Sequence, residues 1–169
     1  MKARIKVPSA MLATIRADLA RPHQFAHERV GFLTAGAALF DGNGLLLLVR
    51  DYRPVDEEDY VPDRSVGVKI GADAMRKALQ AAYRPASTVL HIHTHGGLGR
   101  PHFSGVDRRS AGEFIPSFFN PVPRMPHGIV VLSDDGANGL LWIDPHQAPV
   151  PIADIISVGG SYRKYGAMV

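Results

Sequence analysis

The sequence predicts an α/β (α+β) protein of three layers at most. Stretches with helical spacing of apolar residues alternate with β-prone apolar runs. Two pairs of those runs are joined by tight-turn signals, Asp41-Gly42-Asn43-Gly44 and Asp134-Asp135-Gly136. Hairpins of this kind make the sheet mixed but mostly antiparallel, with few possible crossovers. At 169 residues the chain is one domain with room for a sizeable core. That domain is read as 1–160, followed by a loose basic tail, 161–169.

Pro8-Ser9 precedes Met11, Leu12, Ile15 and Leu19, a helical spacing with Ser9 as its cap. Arg29 to Phe40 and Leu45 to Asp51 are β-prone runs around the first turn signal. Asp51 to Ser65 is acidic and punctuated by proline. Its centre, Asp56-Glu57-Glu58-Asp59, reads as a solvated connection with no metal role. Val66 to Ile70 is a short strand, Ala72 to Ala82 a helix, and Ser87 to His95 a strand buried between layers. Ser104 to about Phe118 is a further helix, leading into the proline-rich stretch 116–126. Gly128 to Leu132 and Gly139 to Ile143 form the second hairpin, and Ile152 to Val158 adds a last strand.

Composition removes several function classes. With 46% apolar and 21% charged residues the chain is an ordinary globular protein. A net charge of +3 is mild and spread along the chain, with no basic stripe interleaved with aromatics, which argues against a nucleic-acid partner. There is no cysteine, hence no disulfide framework, thiolate zinc site or cysteine nucleophile. Met1 to Ala20 carries Lys2, Arg4, Lys6, Arg16 and Asp18, which leaves no apolar core for a signal peptide. The strongest apolar run, Leu45 to Val49, is far too short to cross a bilayer. A cytoplasmic protein without a membrane partner is expected.

Chemistry concentrates in residues 91–107, which hold four of the eight histidines. His91, His93 and His95 follow Ser-Thr-Val-Leu in a β-prone run, and side chains two apart on a strand share a face. His93 and His95 therefore present two imidazoles to one point. After a glycine-rich turn, Ser104-Gly-Val-Asp107 reads as a helix start with Ser104 as N-cap. Two imidazoles and one carboxylate leave a fourth tetrahedral position for water, the arrangement of a catalytic zinc site.

These residues resemble the metal motif of the JAMM (MPN-plus, Mov34/PAD-1, JAB domain) zinc metalloproteases, an HxH followed after seven residues by SxxD. Here His93-Thr94-His95 is followed after eight residues by Ser104-Gly105-Val106-Asp107. The family's upstream Glu-x-x-Gly-Leu-Leu-x-Gly has a counterpart in Glu28-Arg-Val-Gly31-Phe32-Leu33-Thr-Ala-Gly36, with one extra residue. Gly96 stands where the family often has proline, and His91 where an aromatic is frequent. The extra loop residue falls among glycines, which accept unusual backbone angles. The order of motifs matches over roughly residues 9 to 145.

The resemblance implies an MPN/JAB-like domain of prokaryotic type, a curved sheet flanked by helices in a cytidine-deaminase-like arrangement. It implies that His93, His95 and Asp107 bind one catalytic zinc ion, which lowers the pKa of a coordinated water to about 7. Glu28 would accept that water's proton, and Ser104 would donate a hydrogen bond to the developing oxyanion. The reaction implied is hydrolysis of the amide bond after the C-terminus of a ubiquitin-like protein, as deconjugation or precursor processing. The implied partners are that protein or its conjugates, with the activating and conjugating enzymes of the same pathway. Its tail, ending in small residues, would add a strand beside the HxH strand, between walls at 96–100 and 116–126.

Two other readings keep their place. A catalytically silent or latent MPN scaffold would carry the same residues, and a histidine-triad nucleotide hydrolase would use His91, His93 and His95. Thr94 and Gly96-Gly97 fit the triad pattern poorly. His91 reads as a core residue or one behind the ligands, and His102 as a loop residue. Arg100, Arg108 and Arg109 are available to an acidic substrate surface.

Overall fold

Lys2–Pro8 alternates charged and apolar residues, and Ala3, Ile5 and Val7 are buried while Lys2 is exposed. This segment is a strand, β1, in a computed structural model that describes residues 1–40, 42–160 and 163–166. It is followed by α1 (Ser9–Leu19), β2 (Val30–Phe40), β3 (Gly44–Pro54), a 3-10 turn (Glu57–Asp59), α2 (Ala72–Tyr83) and β4 (Thr88–Thr94). Then come α3 (Gly105–Phe118), β5 (His127–Leu132), β6 (Ala137–Trp142), β7 (Val150–Val158) and β8 (Arg163–Gly166).

The strands form one sheet in the order β1-β3-β2-β4-β5-β6-β7-β8, and β1 also pairs with β7. That last pairing closes seven strands into a barrel. β1 runs parallel to both β3 and β7, with Ile5 level with Leu47 on one side and Ile155 on the other. β4 and β5 are also parallel; β2–β3, β2–β4, β5–β6, β6–β7 and β7–β8 are antiparallel.

The closure overturns the expected α/β, MPN/JAB-like and cytidine-deaminase-like arrangement of an open curved sheet between helical layers. The molecule is a mostly-sheet, closed seven-strand barrel with three helices among the described residues. The reason lies in β1. Its charges at Lys2, Arg4 and Lys6 fall at a period of two, which marks a half-buried strand. With β1 in place the sheet has a partner for β7 and loses two free edges.

Smaller expectations change too. Ser9 is the first helical residue rather than the cap, and its hydroxyl donates to the Gly159 carbonyl at 2.5 Å. The stretch 66–70 is not a strand; its only ladder contact is a bridge between Ile70 and Tyr60. Of the expected loose tail, Arg163–Gly166 is the strand β8 beside β7, where Tyr165 packs against the inner core. Residues 161, 162 and 167–169 of that tail, and Asp41 of the first turn, lie outside the described residues.

Two cores follow from the barrel. The inner one holds Ile5, Leu33, Leu47, Leu90 and Ile92, joined by Leu12, Ile15 and Leu19 of α1. The outer one packs the other face of β2, β4 and β5 (Phe32, Val89, Ile129) against α2 and α3. Alternation along β4 thus sends Leu90 and Ile92 inward and leaves His91 and His93 on the helix-covered side. No helix among the described residues is long and apolar enough to cross a membrane.

Candidate metal centre

The register of β2 and β4 brings distant residues together. Val30 pairs with His93; continuing that antiparallel register two residues past the pair sets Glu28 opposite His95. Glu28 Oε1 lies 3.9 Å from His95 Nε2. The α3 start supplies the third component. Ser104 is the N-cap: its Oγ accepts the Asp107 N–H at 3.1 Å, and Asp107 Oδ2 accepts the Ser104 N–H at 2.6 Å. This reciprocal capping box fixes the Asp107 carboxylate with its other face toward β4.

Three side chains converge. His93 Nε2 and His95 Nε2 are 3.1 Å apart; His93 Nε2 is 3.4 Å from Asp107 Oδ1 and His95 Nε2 is 3.4 Å from Asp107 Oδ2. Two ligands each 2.0–2.1 Å from a tetrahedral zinc are separated by about 3.3–3.4 Å, so these distances match the edges of that polyhedron. Glu28, His93 and His95 also form a group whose donor atoms lie within 4.8 Å of one another. Two carboxylates facing two imidazoles suit a divalent cation in charge as well as in shape. The donor set therefore fits the ion that the sequence implies.

His93 is buried, whereas the His95 side chain is 24% exposed. His93 Nδ1 has no hydrogen-bond partner; the ring is held by packing near Phe103 and His91, with centroids at 6.4 and 5.6 Å. Partial burial works to raise the Asp107 carboxyl's pKa, but the His93 imidazole and the Ser104 bonds outweigh it and hold it below the usual carboxylate range. Burial, reinforced by neighbouring His93, pushes His91 down to about 3, so its ring is neutral. It stacks near Phe32 and Phe114 and contributes no ligand atom to the donor group.

Glu28 is gripped on both sides. The His27 N–H donates to the Gly67 carbonyl at 2.8 Å. Buried Arg29 donates to the carbonyls of Arg21 and Pro22, at 2.9 and 3.0 Å, and to Glu57 at 2.5 Å. Glu57 also meets His23 at 3.1 Å, and the Arg29 bond is the main reason its carboxyl sits below the ordinary range. The acidic run is thus no freely solvated connection: Glu57 anchors the segment that carries Glu28, while Asp56 and Asp59 bind Lys77. Sequence reasoning missed this role. The available signal was Arg29, a charged residue opening an apolar strand.

A cavity of about 280 Å³ adjoins the cluster, lined by Glu28, His93, Ser104 and Asp107 and otherwise mostly by apolar side chains. The expected walls are elsewhere. Residues 97–100 dock on the β5–β6 turn through Asp134, Asp135 and Asn138. Residues 116–126 bury Phe118, Phe119 and Val122 in the outer core. β4 is paired on both sides, so strand addition beside it has no open edge to use. Arg100 is tied to Asn138, and Arg108 stands 6.0 Å over the Phe103 ring; His102 and Arg109 are exposed.

No family model matches this chain, and no curated protein does. Among solved structures, the N-terminal domain of STIL from Trichoplax adhaerens is similar to it at a TM-score of 0.34 and 9% identity. The likeness covers 79% of this chain and 38% of that one, and at that level it carries no argument about fold or function.

Proposed function

We propose that this protein is a zinc-dependent amide hydrolase of JAMM type, with His93, His95 and Asp107 holding the ion. One observation carries the reading: two imidazole nitrogens at the end of β4 stand 3.1 Å apart, each 3.4 Å from one of the two oxygens of the Asp107 carboxylate at the start of α3, with a second carboxylate beside them. A zinc ion bound there supplies Lewis acidity toward water and the scissile carbonyl. Glu28 is the general base. It takes a proton from the attacking water as the new C–O bond forms, and returns it to the leaving nitrogen as the C–N bond breaks. Ser104 Oγ accepts the Asp107 N–H and bonds to the Asp107 carboxylate; in this reading its O–H turns from that carboxylate to the carbonyl oxygen as charge develops there. The products are a carboxylic acid and an amine.

In this reading the substrate is an extended protein tail of the ubiquitin-like kind, joined to its partner by an isopeptide or a linear bond. The enzyme works in the cytoplasm, in keeping with a cysteine-free chain. The reading is tested by metal analysis and by turnover of a ubiquitin-like fusion. One zinc per chain is expected, lost in His93→Ala and Asp107→Asn. Glu28→Gln keeps the metal but slows hydrolysis by roughly 10²–10⁴-fold. A Glu28→Gln protein as fast as the parent would remove Glu28 as the base, and a parent that binds no zinc on reconstitution would remove the whole reading.

A further inference from the structure

The polar cluster opens onto an apolar space that hydrolysis of the bond itself does not require. Glu28, His93, Ser104 and Asp107 form one side of the cavity of about 280 Å³. Val30, Val68, Ile70, Met75, Phe114 and Ile129 form most of the remainder, contributed by β2, the 66–70 segment, α2, α3 and β5. Val30 and Ile129 are fully buried, whereas Val68, Ile70, Met75 and Phe114 are only half-buried, although each lies within the fold. At about 30 Å³ of liquid volume per water, the space equals roughly nine waters. That admits one side chain of leucine to phenylalanine size with space left over, and a glycine leaves it empty. Lys69, His91 and Ser110 also line the space, but a charged group passing beyond them to the apolar part would lose its hydration there.

The opposite flank has the reverse character. His95 is the one proposed ligand that does not line the cavity. It is followed by Gly96 and Gly97, at φ of 64° and 72°, where an added Cβ would meet nothing within 4 Å. That flank is open and imposes no side-chain shape.

Resting on the amide-hydrolase reading, we infer that the scissile amide is flanked on one side by a bulky apolar residue whose side chain fills this cavity. The chain on the other side runs over the open His95 flank, where small residues suffice. The substrate class is therefore a peptide with leucine, isoleucine, methionine or phenylalanine next to the bond cut. A bond between two glycines leaves the cavity empty.

The test has two arms on the full chain supplied with zinc. In the first, a mixture of synthetic peptides is digested and the cleavage sites are mapped by mass spectrometry. In the second, N-acetyl-leucinamide and N-acetyl-glycinamide are titrated into the Glu28→Gln protein and followed by NMR shifts. Apolar-flanked sites and the leucine probe are expected to be preferred roughly tenfold or more. Val68→Trp and Ser110→Leu, which fill the cavity from two different elements, are expected to abolish both preferences in protein with parental circular dichroism. Cleavage without apolar preference overturns the cavity assignment and leaves the hydrolase reading standing. Absence of cleavage together with a leucine-probe preference that the filling variants remove overturns the hydrolase reading and keeps the cavity. Absence of cleavage with equal binding of both probes overturns both.

Discussion

His127 is fully buried, and the fold dictates its protonation state. Its Nδ1 accepts the Val89 N–H and its Nε2 donates to the Val122 carbonyl, both at 3.1 Å, so the neutral ring satisfies two backbone groups. Protonation would turn the acceptor into a donor facing another donor. Burial accordingly pushes its pKa down to about 4, although the bond to the Val122 carbonyl works the other way. Between pH 6.5 and 4 the unfolded chain binds this proton and the folded chain does not, so stability is lost as pH falls through that window. The gap corresponds to about 3 kcal/mol. His127→Gln, neutral throughout, should lose less: the stability difference between parent and variant in urea should narrow by about 2 kcal/mol from pH 7.5 to 4.5. A difference independent of pH would show that His127 is not held neutral. At this scale the sequence was most readable in the cluster of side chains at the end of β4 and the start of α3. His93, His95, Ser104 and Asp107 are close in sequence, and strand and cap periodicities dictate which way they point. The pairing of Arg29 with Glu57 was not readable, because it joins a strand start to a loop 28 residues on.

Among the elements, the start of α3 does two jobs with the same atoms. The Ser104–Asp107 box satisfies orphan N–H groups and at the same time orients the carboxylate toward the imidazoles. Ser104→Ala should cost about 1 kcal/mol in urea unfolding through the lost cap, together with a drop in kcat from the lost oxyanion donor. A kcat unchanged in a measurably destabilised protein would leave Ser104 a cap alone. The segment 20–29 is the second such element. Glu57→Ala removes an exposed carboxylate and should leave the urea midpoint close to the parental one. Glu28 would still lose its anchored neighbour, so kcat should fall about tenfold or more while zinc content stays at the parental level. Equal kcat would mean that Arg29's backbone bonds suffice. The helices α1, α2 and α3 fall close to where apolar spacing puts them, since each buries one stripe. The stretch 66–70 misled because its β-prone residues line a cavity rather than pair in a ladder.

For the molecule as a whole, closure rests on β1, which is paired on both sides although it begins at residue 2. Its amides should therefore resist hydrogen exchange as strongly as those of β4. Exchange as fast as in a fraying terminus would mean an open sheet. Ile5, 1% exposed in the inner core, should cost about 2–5 kcal/mol on replacement by alanine, far more than an N-terminal tail residue would. Closure also decides how the cluster can be reached. With β2 and β5 on either side of β4, approach to the cluster is through the cavity and over His95 rather than along a free edge.

What the sequence alone determined is local: turn signals that pair β2 with β3 and β5 with β6, helices marked by one apolar stripe, and a cluster of imidazoles and a carboxylate set by periods of two and three residues. Tertiary structure decided what depends on contacts between remote segments. It closed the sheet through the β1–β7 pairing, set Glu28 opposite His95 through the β2–β4 register, and enclosed a cavity between five elements. Pattern along a chain records which face a residue shows, but pairing partners are chosen by burying faces together, and that choice is made only in three dimensions.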